Sequence, residues 1–172
     1  MIGTVALLDA PDRSWIESLR TGTFFRPAAP HVSFHVAAAY DWAPVVAELD
    51  TIAIETAPFE VEATGADVFD VEDGAALYVQ LARSERLIAL QRRIFDAIDA
   101  HAHHTFEHYK PELWLPHVTI AQRAPMDEAR AFAADINDEV RGRAVHLTNL
   151  AFLSVDYGRY IMSNRRDFSA AL

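Results

Sequence analysis

Apolar and polar residues alternate with a period of two in several runs of this chain, and with a helical period in the segments between them. Residues 2–8 form a short apolar run that reads as a strand. Pro11-Asp12 opens a short helix with Trp15, Ile16 and Leu19 facing inward and Asp12 as its N-cap. A loop over 21–30 holds Arg26 and leads into an alternating strand over about 31–38. Asp41 then caps a helix whose inner face is Trp42, Val45, Val46 and Leu49. Residues 59–69 and 76–82 read as strands joined by a hairpin connection at Asp70-Val71-Glu72-Asp73-Gly74. Ser84 starts the longest expected helix, to about His101, with Leu87, Leu90, Ile94 and Ile98 on one face. A second alternating strand covers about 114–122, and Asp127 begins a helix with Phe132, Ile136 and Val140 inward. A closing hairpin pairs 145–155 with 159–163 through Asp156-Tyr157-Gly158. Short turns between successive strands make antiparallel pairs, which predicts an α+β fold.

The second alternating strand repeats the first. Pro30-His31-Val32-Ser33 and Pro116-His117-Val118-Thr119 lie 86 residues apart. At that offset Asp41 matches Asp127, and the run 59–70 matches 145–156. The pattern predicts a duplicated strand–helix–strand–strand unit, too long for a solenoid repeat. The helix that starts at Ser84 has no partner in this scheme and reads as the link between the two units. Two other His-x-Thr triplets, His103-His104-Thr105 and His146-Leu147-Thr148, have no counterpart at the same offset.

Composition narrows the picture. The 172 residues are 51% apolar and contain no cysteine, so disulfides and thiolate metal sites are excluded. The apolar start lacks a basic flank and is cut by Asp9, so it is not read as a signal peptide. With no apolar run of membrane-spanning length, a cytoplasmic protein is expected. The net charge of −10 is lopsided: residues 1–86 hold 14 acids and 5 bases, residues 87–172 hold 11 acids and 10 bases. Such a chain repels a long polyanion, so a bound phosphate would sit on a small molecule or an RNA end.

On the first repeated strand His31, Ser33 and His35 fall on one face, and Val32, Phe34 and Val36 on the other. On the second, His117 and Thr119 lie opposite Val118 and Ile120. An imidazole and a hydroxyl two residues apart point the same way, and together they handle a proton and grip an oxyanion. Paired Pro-His-x-Ser/Thr strands on a duplicated α+β chain of this length resemble the two-histidine phosphoesterase superfamily, which includes the RNA 2′,3′-cyclic phosphodiesterases also called 2′-5′ RNA ligases. The resemblance implies a single bilobal domain over 1–172, with two pseudo-symmetric lobes of antiparallel sheet and flanking helices around a central cleft. It carries His31 and Ser33 onto the first motif and His117 and Thr119 onto the second. Gln122 followed by Arg123 stands where that family often has an arginine, and His35 stands where it commonly has an apolar or aromatic residue. Both departures suggest a divergent branch.

The implied chemistry is metal-independent, with no cofactor. One histidine takes a proton from water or a ribose hydroxyl, the other protonates the leaving oxygen, and Ser33 and Thr119 donate to the non-bridging oxygens. The substrate would be a 2′,3′-cyclic or 2′-5′ phosphodiester on a small nucleotide or RNA end, with no duplex nucleic acid or membrane involved and a monomer favoured. His35, one strand step beyond Ser33, would touch substrate or tune His31, or else be a hydrogen-bonded structural histidine. Tyr160 and Tyr78 are candidates to stack a base, and Arg123, Arg159, Arg165 and Arg166 to contact phosphate. Two rival readings stand beside this one. A phosphate-gripping cleft without turnover would make a nucleotide-binding protein. The cluster His101, His103, His104 and His108 would make a metal-dependent hydrolase, with His104 and His108 at i, i+4 if that stretch is helical.

Overall fold

The computed structural model describes residues 1–20, 29–156 and 159–169, with side chains at all of these except 155, 156 and 159. Nine strands and four α-helices are found among them, in the order β1 (Ile2–Leu7), α1 (Asp12–Leu19), β2 (His31–Tyr40), α2 (Trp42–Glu55), β3 (Phe59–Val71), β4 (Gly74–Leu81), α3 (Glu85–Ile98), β5 (Ala102–Thr105), β6 (His117–Ala124), α4 (Met126–Val140), β7 (Ala144–Leu147), β8 (Asn149–Asp156) and β9 (Arg159–Asp167). The described strands form one curled sheet in the order β7-β3-β4-β6-β2-β1-β8-β9, with β5 added to β2. Every pairing is antiparallel. The α+β class and the two sheet halves on either side of a centre are as the sequence predicts.

The repeat has a different phase from the one expected. Outward from the β6–β2 junction the order reads β4, β3 on one side and β1, β8 on the other. β1 therefore matches β4, β3 matches β8, and α3 matches α1 in its place between paired strands. The helix read as a bare link thus has a partner. The single strand expected over 145–155 is broken at Thr148, because its two parts serve different neighbours: β7 pairs with β3 and β8 with β1. Asn149, fully buried at the break, accepts from Leu7 N at 3.1 Å and donates to Leu7 O at 2.8 Å.

The helices cover one face of the sheet. Val45, Leu49 and Ile52 of α2, Leu87, Ile94 and Ile98 of α3, and Ile136 and Val140 of α4 join Val32, Phe34, Val118 and Ile120 in one apolar core. Burial of each such side chain contributes about 1.5–3 kcal/mol. Ser84 caps α3 as expected, its Oγ accepting from Leu87 N at 3.3 Å. Asp12 does not cap α1; it lies in the first turn, and its carboxylate accepts from His146 N at 2.6 Å and Nδ1 at 2.9 Å. Gly65 sits at φ +154 where β3 bends, and a Cβ there would come within 2.5 Å of Asn137 Oδ1 on α4. That oxygen accepts from Ala66 N, which ties the bend to α4.

Candidate active site

The site lies where the two halves of the sheet meet. Val32 of β2 faces Val118 of β6, the pair recorded between these strands among the described residues. Extending that register sets His31 opposite Thr119 and Ser33 opposite His117. The two imidazoles are then diagonal neighbours, a relation that spans about 7–8 Å between backbones in an antiparallel pair. Valines 32 and 118 enter the core, while His31, Ser33, His117 and Thr119 all line one cavity of about 170 Å³ on the opposite face. Gly3, Val5, Val36, Tyr109, Gln122 and Tyr160 also line it.

Both histidines are held alike. His31 Nδ1 lies 2.7 Å from Ala29 O, and His117 Nδ1 lies 2.8 Å from Leu115 O. A carbonyl only accepts, so each Nδ1 carries the hydrogen and each Nε2 is left for the cavity. Burial drives the His31 pKa down to about 4, assisted by repulsion from His117 and Arg20 and opposed by the bond to Ala29. Burial also lowers His117. Phe69 and Tyr78 wall His117 with ring centroids at 5.1 and 5.3 Å, both edge-on. Tyr78, 3% exposed and stacked on Phe69 at 4.1 Å, supports that histidine and does not line the cavity.

His35 is placed behind the sheet, away from the cavity. The β1–β2 register shifts between Thr4 and Val5, so that Thr4 faces His35 while Val5 faces Ser33. This β-bulge inserts one residue after Ser33 and reverses the alternation: Phe34 and His35 are both buried, and Val36 returns to the cavity. Nδ1 of His35 lies 2.7 Å from Tyr40 Oη, and Nε2 lies 3.1 Å from Asp99 Oδ1. Burial lowers its pKa, against the pull of Asp99. The same bulge recurs on β6, where the pairing passes from Tyr78–Thr119 to Leu77–Ala121, burying Ile120 and Ala121 and returning Gln122 to the cavity.

The other candidates divide. Tyr160 lines the cavity, its hydroxyl 3.4 Å from Gln122 Oε1. Arg123 stands at φ +54 just past the β6 bulge, 65% exposed and 3.9 Å from Asp73, outside the cavity lining. Arg165 is engaged by Asp9 and Asp167, and Arg166 by Asp50, so neither reaches the cavity. Arg159 begins β9, its side chain outside those described, and Arg26 falls outside the described residues. The helix needed to align His104 with His108 does not form: His104 lies in β5 at φ +58 and His108 in a separate 3-10 turn. His103 pairs with Asp41 at 3.0 Å, and no group of three or more metal-ligating side chains is found among the described residues. None of the described helices is long and apolar enough to cross a membrane.

Two residues of the site were not singled out from the sequence. Trp114 donates from Nε1 to Ser33 O at 2.8 Å and stacks on Phe34 at 5.8 Å, fastening the approach to β6 onto β2. Tyr109 lines the cavity beside Ser33, and burial raises its pKa. Buried Gln91 of α3 donates to Tyr109 O at 2.9 Å and to Phe34 O at 3.3 Å. Both aromatics lie in the stretch before His117, whose spacing resembled no motif.

The sequence model of the 2′-5′ RNA ligase superfamily matches residues 8–159, and the chain belongs to that superfamily. The fold is shared with TT0787 of Thermus thermophilus (TM-score 0.65, 11% identity, 98% of each chain covered). It is shared too with E. coli LigT complexed with 3′-AMP (TM-score 0.61, 16% identity, 98% of this chain and 97% of that one). Usb1 of Kluyveromyces marxianus aligns with a TM-score of 0.56 at 15% identity, over 94% of this chain and 96% of that one. No curated protein matches the chain in sequence.

Proposed function

We propose that this protein is a phosphodiesterase acting on a 2′,3′-cyclic or 2′-5′ phosphodiester of a small nucleotide or RNA end, by paired-histidine acid–base catalysis. The observation that carries the reading is that both His-x-Ser/Thr units line one cavity across the β2–β6 junction. The superfamily assignment and the 3′-AMP complex of LigT support it.

The phosphorus sits between the two imidazoles. One Nε2 takes the proton of a water or ribose hydroxyl as that oxygen bonds to phosphorus. The other, protonated, gives its proton to the oxygen whose bond to phosphorus breaks. Ser33 and Thr119 donate to the non-bridging oxygens, where charge gathers. Burial lowers both pKa values. The phosphodiester anion offsets this, since a nearby negative charge favours the imidazolium. The entering substrate thus loads the proton that the acid later gives up. Tyr109 borders the Ser33 hydroxyl in the same cavity.

The test is turnover of a panel of 2′,3′-cyclic nucleotides and 2′-5′-linked dinucleotides in the presence of a chelator. His31→Ala and His117→Ala are each expected to lower kcat by about 10²–10⁴. Wild-type activity that survives both substitutions, or that disappears with the chelator, overturns the mechanism.

A further inference from the structure

A second cavity, of about 320 Å³, adjoins the histidine cleft, and Tyr109 and His117 line both. Its remaining walls differ in character from the first. Phe69 and Val71 come from the end of β3, and Leu113, Trp114 and Leu115 from the stretch that enters β6. The floor is fixed, since Trp114 is 2% exposed and bonded to Ser33 O. One side is fixed as well, by Phe69 stacked on Tyr78. At the mouth, Leu113 is 59% exposed and Val71 38% exposed. Asp70 and His108 add a carboxylate and an imidazole to the same lining.

We infer that this cavity seats a nucleobase, that of the nucleoside bonded to the phosphorus through the oxygen nearest His117. The inference rests on the phosphodiester reading and adds the part of the substrate that lies beyond the phosphate. With phosphorus between the two imidazoles, a substituent on the His117 side meets the Tyr109–Phe69 wall and enters the second cavity. A base has two flat apolar faces and a rim of hydrogen-bonding groups. The faces match the aromatic and leucine walls, and stacking of this kind tolerates any base. The rim matches Asp70 and His108. A bare sugar would leave Leu113 and Val71 in water, and a second phosphate would meet the Asp70 carboxylate among apolar walls. Sequence reading sought base stacking at Tyr78 and Tyr160. Tyr78 is buried behind Phe69 and Tyr160 lies in the histidine cavity, so neither lines this one.

The experiment compares kcat/KM for adenosine 2′,3′-cyclic phosphate and for methyl riboside 2′,3′-cyclic phosphate, which has a methoxy group in place of the base. Wild type is expected to favour the adenosine compound by about tenfold or more. Leu113→Asp and Val71→Asp, both at exposed positions, each bring that ratio toward one. Ile54→Asp, on an exposed position of α2 outside both cavities, keeps the wild-type ratio. Equal use of the two compounds by wild type, or a ratio that survives both cavity substitutions, overturns the inference and leaves the histidine mechanism standing. Failure of the parent reading has another signature: neither compound is turned over or bound, and both proposals fall together.

Discussion

His31 and His117 carry the same kind of backbone bond and pKa values displaced in the same direction, and this sets the expected pH profile. On the proposed mechanism, the form competent for kcat/KM holds one proton between the two imidazoles. It is most populated between their two depressed constants, on the acid side of the ordinary value of 6.5. Profiles from about pH 4 to about pH 8 are therefore expected to show kcat/KM peaking below 6.5 and declining through neutrality. Bound substrate anion favours the imidazolium, so kcat should peak at a higher pH than kcat/KM. Coincident optima above neutrality would contradict the lowered pKa values. His35 teaches a different lesson at this scale. Strict alternation gives it to the cleft, and one inserted residue gives it to Tyr40 and Asp99 instead. A bulge has no marker of its own in His-Val-Ser-Phe-His, because Phe34 and His35 each suit a strand on either face.

At the level of elements, the clamp between α1 and the β3–β7 edge is expected to depend on pH. His146 Nδ1 lies 2.9 Å from Asp12 Oδ2, and its Nε2 lies 2.9 Å from Glu60 Oε1. The bond to Asp12, with the charges of Asp12 and Glu60, raises the His146 pKa. Stabilisation from a raised histidine is complete below its unfolded value of 6.5 and fades as pH climbs through the raised one. The gap in thermal midpoint between wild type and His146→Ala should therefore be wider at about pH 5.5 than at about pH 8.5. A gap that widens with pH would mean that the imidazolium is not what holds the clamp. Most elements were legible from periodicity, and Ser84 marked the start of α3 correctly. What periodicity missed was partner choice. The break at Thr148 and the pairing of β5 (Ala102–Thr105) with β2 depend on strands far away in the chain, and no local pattern encodes them. The two motif strands were legible because they recur. Tyr109 and Trp114 were not, because each acts through a contact with Ser33 made only when β2 and β6 adjoin.

For the whole molecule, charge is expected to select against long partners. A net charge of −10 opposes the release of counterions from a duplex, which is the main source of nucleic-acid affinity. Turnover of a cyclic nucleotide at physiological salt is expected to be unaffected by excess double-stranded RNA. Inhibition that weakens steeply with added salt would reveal a basic track that the composition hides. The sheet itself shows where so acidic a chain would hold the proposed phosphate: its two halves bring matched imidazole–hydroxyl pairs together at their centre.

That centre is narrow. Between β2 and β6 the recorded rung is Val32 facing Val118, and His31 and His117 are the residues immediately before it. When two plates share a short spine, rotation sweeps their outer margins widely and leaves the spine almost still. The two histidines sit on the spine. Any flexing of the two halves would therefore move the margins most and change least the spacing on which the proposed proton transfer depends.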